Sequence, residues 1–396
     1  MAMALLGPHC RFVCPDCGQT YFCDADVPRV GQWRACPRCG NVTENASPVE
    51  VNRGNRVVVF RSAFDWRRPR RWEMIAFRDP NRPTQLAVKR VVGLPGESVD
   101  IRQGNVYING RLKRKTIDDQ KAIGVLVYDA WSPVTGSKDA PRRWIAEPPD
   151  NPWVKKNGRF EHPVASTSPQ NKNQVDWLVY HHRRRQGQSW TTGPVTDELA
   201  YNQWRSPRNE ETHPVADLML TLHAQKIVGD GWLVLRATDD VDCLEAWICP
   251  KQGVCEFRFN GQLVRRGASP IDRPIKEMDI VFSVIDRQMV LTLNEQRAIG
   301  RLSLPAGRRW TASEQPLAVG VVGLGIELDK LQVYRDVYYA RPPGVLARWG
   351  FDQPVTLGPD EYFVLGDNSL ISDDSRSWPA GPAVREEWII GKPRVW

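Results

Sequence analysis

The sequence predicts an all-β chain, and three observations predict it. Short runs rich in branched and aromatic residues recur along its length, among them "NRVVVF", "WEMIAF", "FRFNGQLV" and "MVLTLNEQRAI". Tight-turn pairs such as Gly104-Asn105, Asn109-Gly110, Asn260-Gly261 and Asp286-Arg287 punctuate them. Helical periodicity is hard to find anywhere. At 396 residues the chain is long enough for two or three domains, and 41% apolar with 25% charged residues is globular usage that supports a buried core.

The first element, residues 1–48, is read from its cysteines. Cys14-Pro15-Asp16-Cys17 and Cys36-Pro37-Arg38-Cys39 are two C-x-x-C knuckles, each followed by a glycine, Gly18 or Gly40, that suits the turn aiming two thiolates at one ion. Four sulfurs satisfy a closed tetrahedral zinc site and would hold together a segment too poor in apolar residues to fold alone. The expectation is a small zinc ribbon with one structural zinc on Cys14, Cys17, Cys36 and Cys39. A disulfide pair is the alternative, and a redox role is weaker because no βαβ pattern surrounds the motif. Cys10 and Cys23 are close enough to be alternative ligands but belong to no knuckle; Cys243, Cys249 and Cys255 read as buried free thiols in strands.

From residue 49 the strands begin. In "LAVKRVVGLPG" Lys89 and Arg90 interrupt an apolar run where a surface strand would place charges on alternate positions, so one of the two cations is expected to point inward. A buried lysine is costly unless it is paired or its site wants the amine neutral.

At this point a resemblance becomes specific. "KRVVGLPG" followed by "ESVDIRQGNVYING" resembles the lysine-bearing segment of the type I signal peptidases, the S26 family of serine endopeptidases. Far downstream, "YFVLGDNSLISDDSRSWP" at 362–379 resembles that family's Gly-Asp-Asn-x-x-x-Ser-x-Asp-Ser-Arg signature. The resemblance implies a β-barrel core in two parts, residues 49–115 and 346–396, and a Ser/Lys dyad for signal-peptide processing. By it Lys89 is the ancestral general base, an amine that must be neutral although its ordinary value is about 10.4. Ser372 is the orienter of the lysine, Asp374 and Arg376 are a structural ion pair, and Gly366-Asp367-Asn368 is a turn.

The departure from the pattern matters as much. The family's nucleophile lies in a Ser-Met-x-Pro-Thr segment, and nothing of that form precedes "GNRVVVF". In "NVTENASPVEVNRGN" the residue three before Pro48 is Asn45, whose amide cannot be activated as a hydroxyl can. Ser47 is a weak nucleophile candidate that serves only if the loop slips by two positions. The expectation is a core that has lost its nucleophile.

Residues 116–345 read as an insertion. Its second half carries strand-like runs such as "ADLMLTLHAQKI", "GWLVLRAT", "CLEAWICP" and "LAVGVVGLGIELDKLQVYRDVYY", and its hairpins look like a concanavalin-like, laminin-G-type jelly-roll sandwich. Trp131, Trp144, Trp153, Trp190 and Trp204 are candidates for a sugar-stacking platform, against the commoner role of anchoring a core.

The excess of 54 Lys and Arg over 46 Asp and Glu is too diffuse to demand nucleic acid. The longest apolar stretches fall short of the roughly 20 residues a spanning helix needs, and the first eight residues do not read as a secretory signal. A cytoplasmic protein is expected, with membrane association as the alternative the resemblance implies. Three functions follow: a non-catalytic relative that binds a peptide, preprotein segment or glycan, with a membrane-bound protein as a further candidate partner; an active endopeptidase using Lys89 with Ser47; and a zinc-ribbon nucleic-acid binder, which the scattered basic residues disfavour.

Overall fold

The structure, a computed structural model, describes residues 5–25, 33–44, 50–130, 141–164, 174–198, 204–205, 212–268, 274–294, 299–341 and 349–395. Strands dominate these residues; the one α-helix among them is Ile117–Ile123, capped by Thr116 and Asp119 in a reciprocal box. The sequence reading misses this helix because it is two turns long and shows no repeat, although Thr116-x-x-Asp119 and Gly124 bracket it.

The N-terminal segment is two knuckled hairpins. His9–Val13 pairs with Thr20–Asp24 in the register Cys10↔Cys23, and Trp33–Ala35 pairs with Val42–Glu44. Six cysteines with Phe12 and Tyr21 form its buried cluster. So few apolar side chains bury little surface, and the cysteines supply most of the interior.

Next comes a six-stranded antiparallel sheet in the order Ala383–Arg385, Glu361–Leu365, Arg82–Gly93, Met74–Asp79, Ile389–Val395, Val57–Phe60. It interleaves strands from both sides of the insertion. Alternation splits its central strands between two buried clusters. Val91, Tyr362 and Val364 pack with Ile75, Phe77 and Trp378, whereas Val92, Phe363 and Leu365 pack with Trp72, Val99, Ile101 and Tyr339 on the opposite face. That second face is covered by a four-stranded sheet of Arg111–Leu112, Asn105–Ile108, Ser98–Arg102 and Val355–Thr356. The expected barrel is corrected here: no closed barrel forms among the described residues. The edge strands are only three and four residues long and each pairs on one side, too short to carry the stagger that closure needs.

Most of the remaining strands build a large sheet around two long central strands, Leu218–Thr238 and Leu317–Arg335, while Arg183–Gln186 and Ser189–Thr192 form a hairpin of their own and Trp204–Arg205 pairs with Trp33–Ala35. The sequence reads "ADLMLTLHAQKI" and "GWLVLRAT" as separate strands, yet they are one strand that bends, with register shifts after Gln225 and Gly229. Glycines permit the bend. A Cβ at Gly231 would sit 1.7 Å from the Val322 carbonyl oxygen, and Gly229 and Gly323 adopt positive φ. The sheet thereby encloses the largest apolar core, including Leu220, Leu235, Phe257, Phe282, Leu291, Val319 and Val333.

Candidate functional site

The sheet order brings residues 283 positions apart into contact: the Lys89 ammonium donates to Ser372 Oγ at 2.9 Å. Lys89 stands on Arg82–Gly93 opposite Ile75 of the neighbouring strand, on the face that carries Val91 and Trp378. Glu361–Leu365 stops at Leu365, paired with Arg90, and the chain then turns at Gly366. That turn delivers Ser372 to the lysine, and it must be a glycine. A Cβ on Gly366 would lie 2.0 Å from Ser372 Oγ and 3.5 Å from Lys89 Nζ.

Burial lowers the Lys89 pKa below the usual lysine range, and the nearby Asp374 and Asp373 carboxylates only partly oppose it. Lys89 makes no ion pair among the described residues, because the carboxylate best placed to make one is already engaged. Asp374 is fully buried and accepts two bonds from the Arg376 guanidinium, each 2.8 Å, and a third from the Gly366 N–H at 2.9 Å. Burial alone would raise the Asp374 pKa, but the Arg376 charge and these hydrogen bonds outweigh it and the carboxyl is held below its ordinary value. Arg376 spends its other donors on Ala340 O at 2.6 Å and on Ser369 Oγ and O, both at 2.9 Å. The buried pair thus anchors the chain where it returns from the large sheet.

Sequence reasoning expects one inward cation and misses what the second does. Arg90 is 3% exposed, on the opposite face from Lys89, and forks onto Asp367 at 2.9 and 2.8 Å while donating to Trp72 O at 2.6 Å. Asp367, read only as a turn residue, fixes the turn through this bidentate pair. Asn45 and Ser47 lie outside the described residues.

One edge beside the lysine is open. Residues 90–93 pair with Glu361–Leu365, but the part of the strand before Arg90 pairs on one side alone among the described residues, with Met74–Asp79. Leu86 on that edge is 61% exposed, and Ile371, beside Ser372 and Asp373, which reach Lys89 and Arg82, is 56% exposed.

The four knuckle cysteines come together independently. All are buried, with Cys14 Sγ 3.5 Å from Cys39 Sγ and Cys17 Sγ 3.6 Å from Cys36 Sγ. A tetrahedron of thiolates about 2.3 Å from zinc has edges of about 3.8 Å, so the donor set fits such an ion. Gly18 and Gly40 adopt positive φ, and their N–H groups donate to Cys14 O and Cys36 O, which closes each knuckle. Cys10 and Cys23 face each other across the hairpin outside this set. Of the candidate stacking tryptophans, Trp144 and Trp153 are buried in the large core, Trp190 packs on the cysteine cluster, and Trp131 lies outside the described residues. No helix among the described residues is long and apolar enough to cross a membrane.

Comparison with known proteins puts a class to part of this arrangement. Residues 39–141 match the family described as signal peptidase, peptidase S26. The span is wider than residues 49–115, reaching from the second knuckle into the insertion, and it contains Lys89 but not Ser372, Asp374 or Arg376. Within this class, the probable signal peptidase I-2 of Synechocystis sp. (strain ATCC 27184 / PCC 6803 / Kazusa) is 33% identical over 67 residues, which are 15% of this chain and 29% of that protein. The chain therefore spans less than a third of the length of that curated relative. Among solved structures, the carbohydrate-binding module CBM66 from Bacillus subtilis aligns at TM-score 0.30 and 10% identity, over 48% of this chain and 93% of its own. A Bacillus licheniformis beta-glucanase aligns at TM-score 0.32 and 8% identity, over 53% of this chain and 98% of its own.

Proposed function

We propose that the chain is a non-catalytic relative of signal peptidase I that holds an extended peptide along the open edge beside Lys89. The observation that carries this reading is the edge before Arg90, unpaired among the described residues, with Leu86 exposed on it and the Lys89–Ser372 pair at its end. An extended peptide gains affinity there by adding a strand through main-chain hydrogen bonds, with apolar contacts choosing alternate side chains. Loss of catalysis follows from the sequence: a lysine with its orienter still needs a hydroxyl to deprotonate, and the Ser-Met-x-Pro-Thr segment is missing. Asp374 and Arg376 hold the turn that presents Ser372.

The cysteine cluster is proposed as a structural zinc site on Cys14, Cys17, Cys36 and Cys39. Four sulfurs leave no open position for a substrate, so the metal would stabilise the two hairpins and supply no chemistry to Lys89. Metal analysis should find about one zinc per chain, lost in Cys36→Ser; full retention by that variant sinks the assignment.

The function is tested with a fluorescent preprotein-like peptide ending in Ala-x-Ala. Binding should be measurable by anisotropy, weakened by Leu86→Lys, and accompanied by no cleavage. Robust cleavage by the wild type, abolished by Ser47→Ala and by Lys89→Ala but not by Thr43→Val, would overturn the non-catalytic reading and name Ser47 as nucleophile.

A further inference from the structure

The seam between the second cysteine knuckle and the large sandwich holds a group of charges that neither the peptide edge nor the zinc site uses. Arg38, inside the knuckle, is 6% exposed; Arg143 is 5% and Arg335 1% exposed. None of the three makes an ion pair among the described residues. Their hydrogen bonds go to neutral acceptors: Arg38 Nη2 to Asp129 O at 2.7 Å, Arg143 to Arg38 O and to Tyr180 OH, Arg335 to the carbonyls of Asp336, Asp197 and Glu198. Arg38 and Arg143 both lie over the Tyr128 ring, at 4.7 and 5.3 Å. A guanidinium removed from water without a paired carboxylate is costly: burial lowers the Arg335 pKa to about 10, although the charges of Asp197, Asp336 and Glu198 oppose it.

The cost has a place to be relieved. A cavity of about 50 Å³ opens between Pro37 and Arg38 of the knuckle and Tyr128, His182, Arg184 and Arg335 of the sandwich. Arg38 Nη1 and Arg335 Nε, both buried, have no hydrogen-bond partner among the described residues, and both residues line it. The acidic lining residues are engaged elsewhere: Glu198 is paired with Arg184, and Asp129 Oδ2 accepts from Gln332 at 3.0 Å. His182 is kept neutral by burial and by Arg143 and Arg184.

We propose that this cavity binds one compact inorganic oxyanion, of phosphate or sulfate type, which bridges the second cysteine knuckle to the sandwich. Guanidinium forks match several oxygens of one such ion, and the volume exceeds the 10–15 Å³ or so that a single water requires. The bound ion would cross-link the two parts at a point where protein contacts alone leave two donors unused.

The test is thermal unfolding of the zinc-loaded full chain at constant ionic strength, with phosphate, sulfate or chloride titrated in. Phosphate or sulfate should raise the midpoint along a saturating curve, reaching about 3 °C or more. Arg38→Gln should remove the saturating part while keeping the fold, and Arg38→Lys, which keeps the charge and loses the fork, should weaken binding about tenfold. Calorimetric titration of phosphate into the wild type should give one site, which keeps the proposal testable if Arg38→Gln does not fold. A rise that is linear and shared by Arg38→Gln is a general salt effect and overturns the proposal. So does equal saturation by chloride, and so does a flat calorimetric titration, in which case water alone fills the cavity.

Discussion

Two lysines are withdrawn from solvent ahead of the insertion, Lys89 in a strand and Lys115 in the link to the helix, and they are treated in opposite ways. Lys89 meets one hydroxyl, and burial holds its amine below the usual range. Lys115, 5% exposed, meets the Asp286 carboxylate at 2.9 Å and the Asp336 carboxylate at 2.8 Å, with the Trp72 ring 5.0 Å away. Burial would lower its pKa too, but the two carboxylates overwhelm burial and hold it above the lysine range. The difference teaches that burial alone does not decide a lysine's state. The partner does: carboxylates lock the charge in at the junction between sheet and insertion, while a hydroxyl leaves Lys89 free to be neutral.

The largest expected effect breaks the carboxylate side of this comparison. Lys115→Met leaves Asp286, Asp336 and the neighbouring Asp217 clustered without their cation and should lose about 3–5 kcal/mol in urea denaturation at neutral pH. Wild-type stability in that variant would mean that Lys115 does not hold the cluster together. Gly366→Ala strikes the hydroxyl side. Its Cβ overlaps Ser372 Oγ, so about 1–3 kcal/mol should be lost, and Ser372→Ala should restore part of it; strictly additive losses would show that the contact is not what forces glycine.

The third effect depends on pH. Burial, followed by the Asp286 and Asp336 charges, raises the Asp217 carboxyl to about 7. The unfolded chain releases that proton near the ordinary value of about 3.9, so the folded state holds one proton more between those limits and stability falls as pH rises through the window. Asp217→Asn should flatten that slope by about 1.4 kcal/mol per pH unit within the window; an unchanged slope would separate Asp217 from the cluster. The smallest effect is Lys89→Met, which should stay within about 1 kcal/mol of wild type at pH 7 or exceed it. Because the folded-state pKa of Lys89 lies below the unfolded one, the wild type should gain stability relative to the variant as pH rises toward about 10.4. A parallel pH response of the two proteins would show Lys89 to be an ordinary charged lysine.

The sequence is most legible where one residue type answers one physical demand. Paired cysteines followed by glycine announce two knuckles, and alternating branched residues announce strands, because each pattern is local. Ser372 is legible as a neighbour of Lys89 only because both stand in long motifs. The Arg90–Asp367 fork stays hidden, since an arginine in a strand and an aspartate in a turn carry no mark of each other. Lys115 is likewise silent: its partners come from a tight turn, Asp286, and a strand exit, Asp336. The bend at Gly229 and Gly231 reads as a break between strands because glycine ends strands as readily as it folds them over. Closure into a barrel is not legible at all, as it depends on edge lengths that only tertiary pairing reveals.

The long bent strand pair has a consequence for the order in which the chain can assemble. Lys89 and Ser372 are 283 residues apart, and closing so long a loop directly is entropically unfavourable and slow. Val125–Asp129 pairs with the end of Leu317–Arg335, Val125 opposite Arg335, so a folded sandwich brings its own two ends side by side. The loop left to close then shrinks to about 75 residues, which lowers the closure cost by about 1 kcal/mol. The sandwich can thus act as a splint: once Val125 stands opposite Arg335, the Lys89–Ser372 pair has the shorter loop to close. Slowing the sandwich should delay the site by the same factor, whereas slowing the site should leave the sandwich's own rate unchanged.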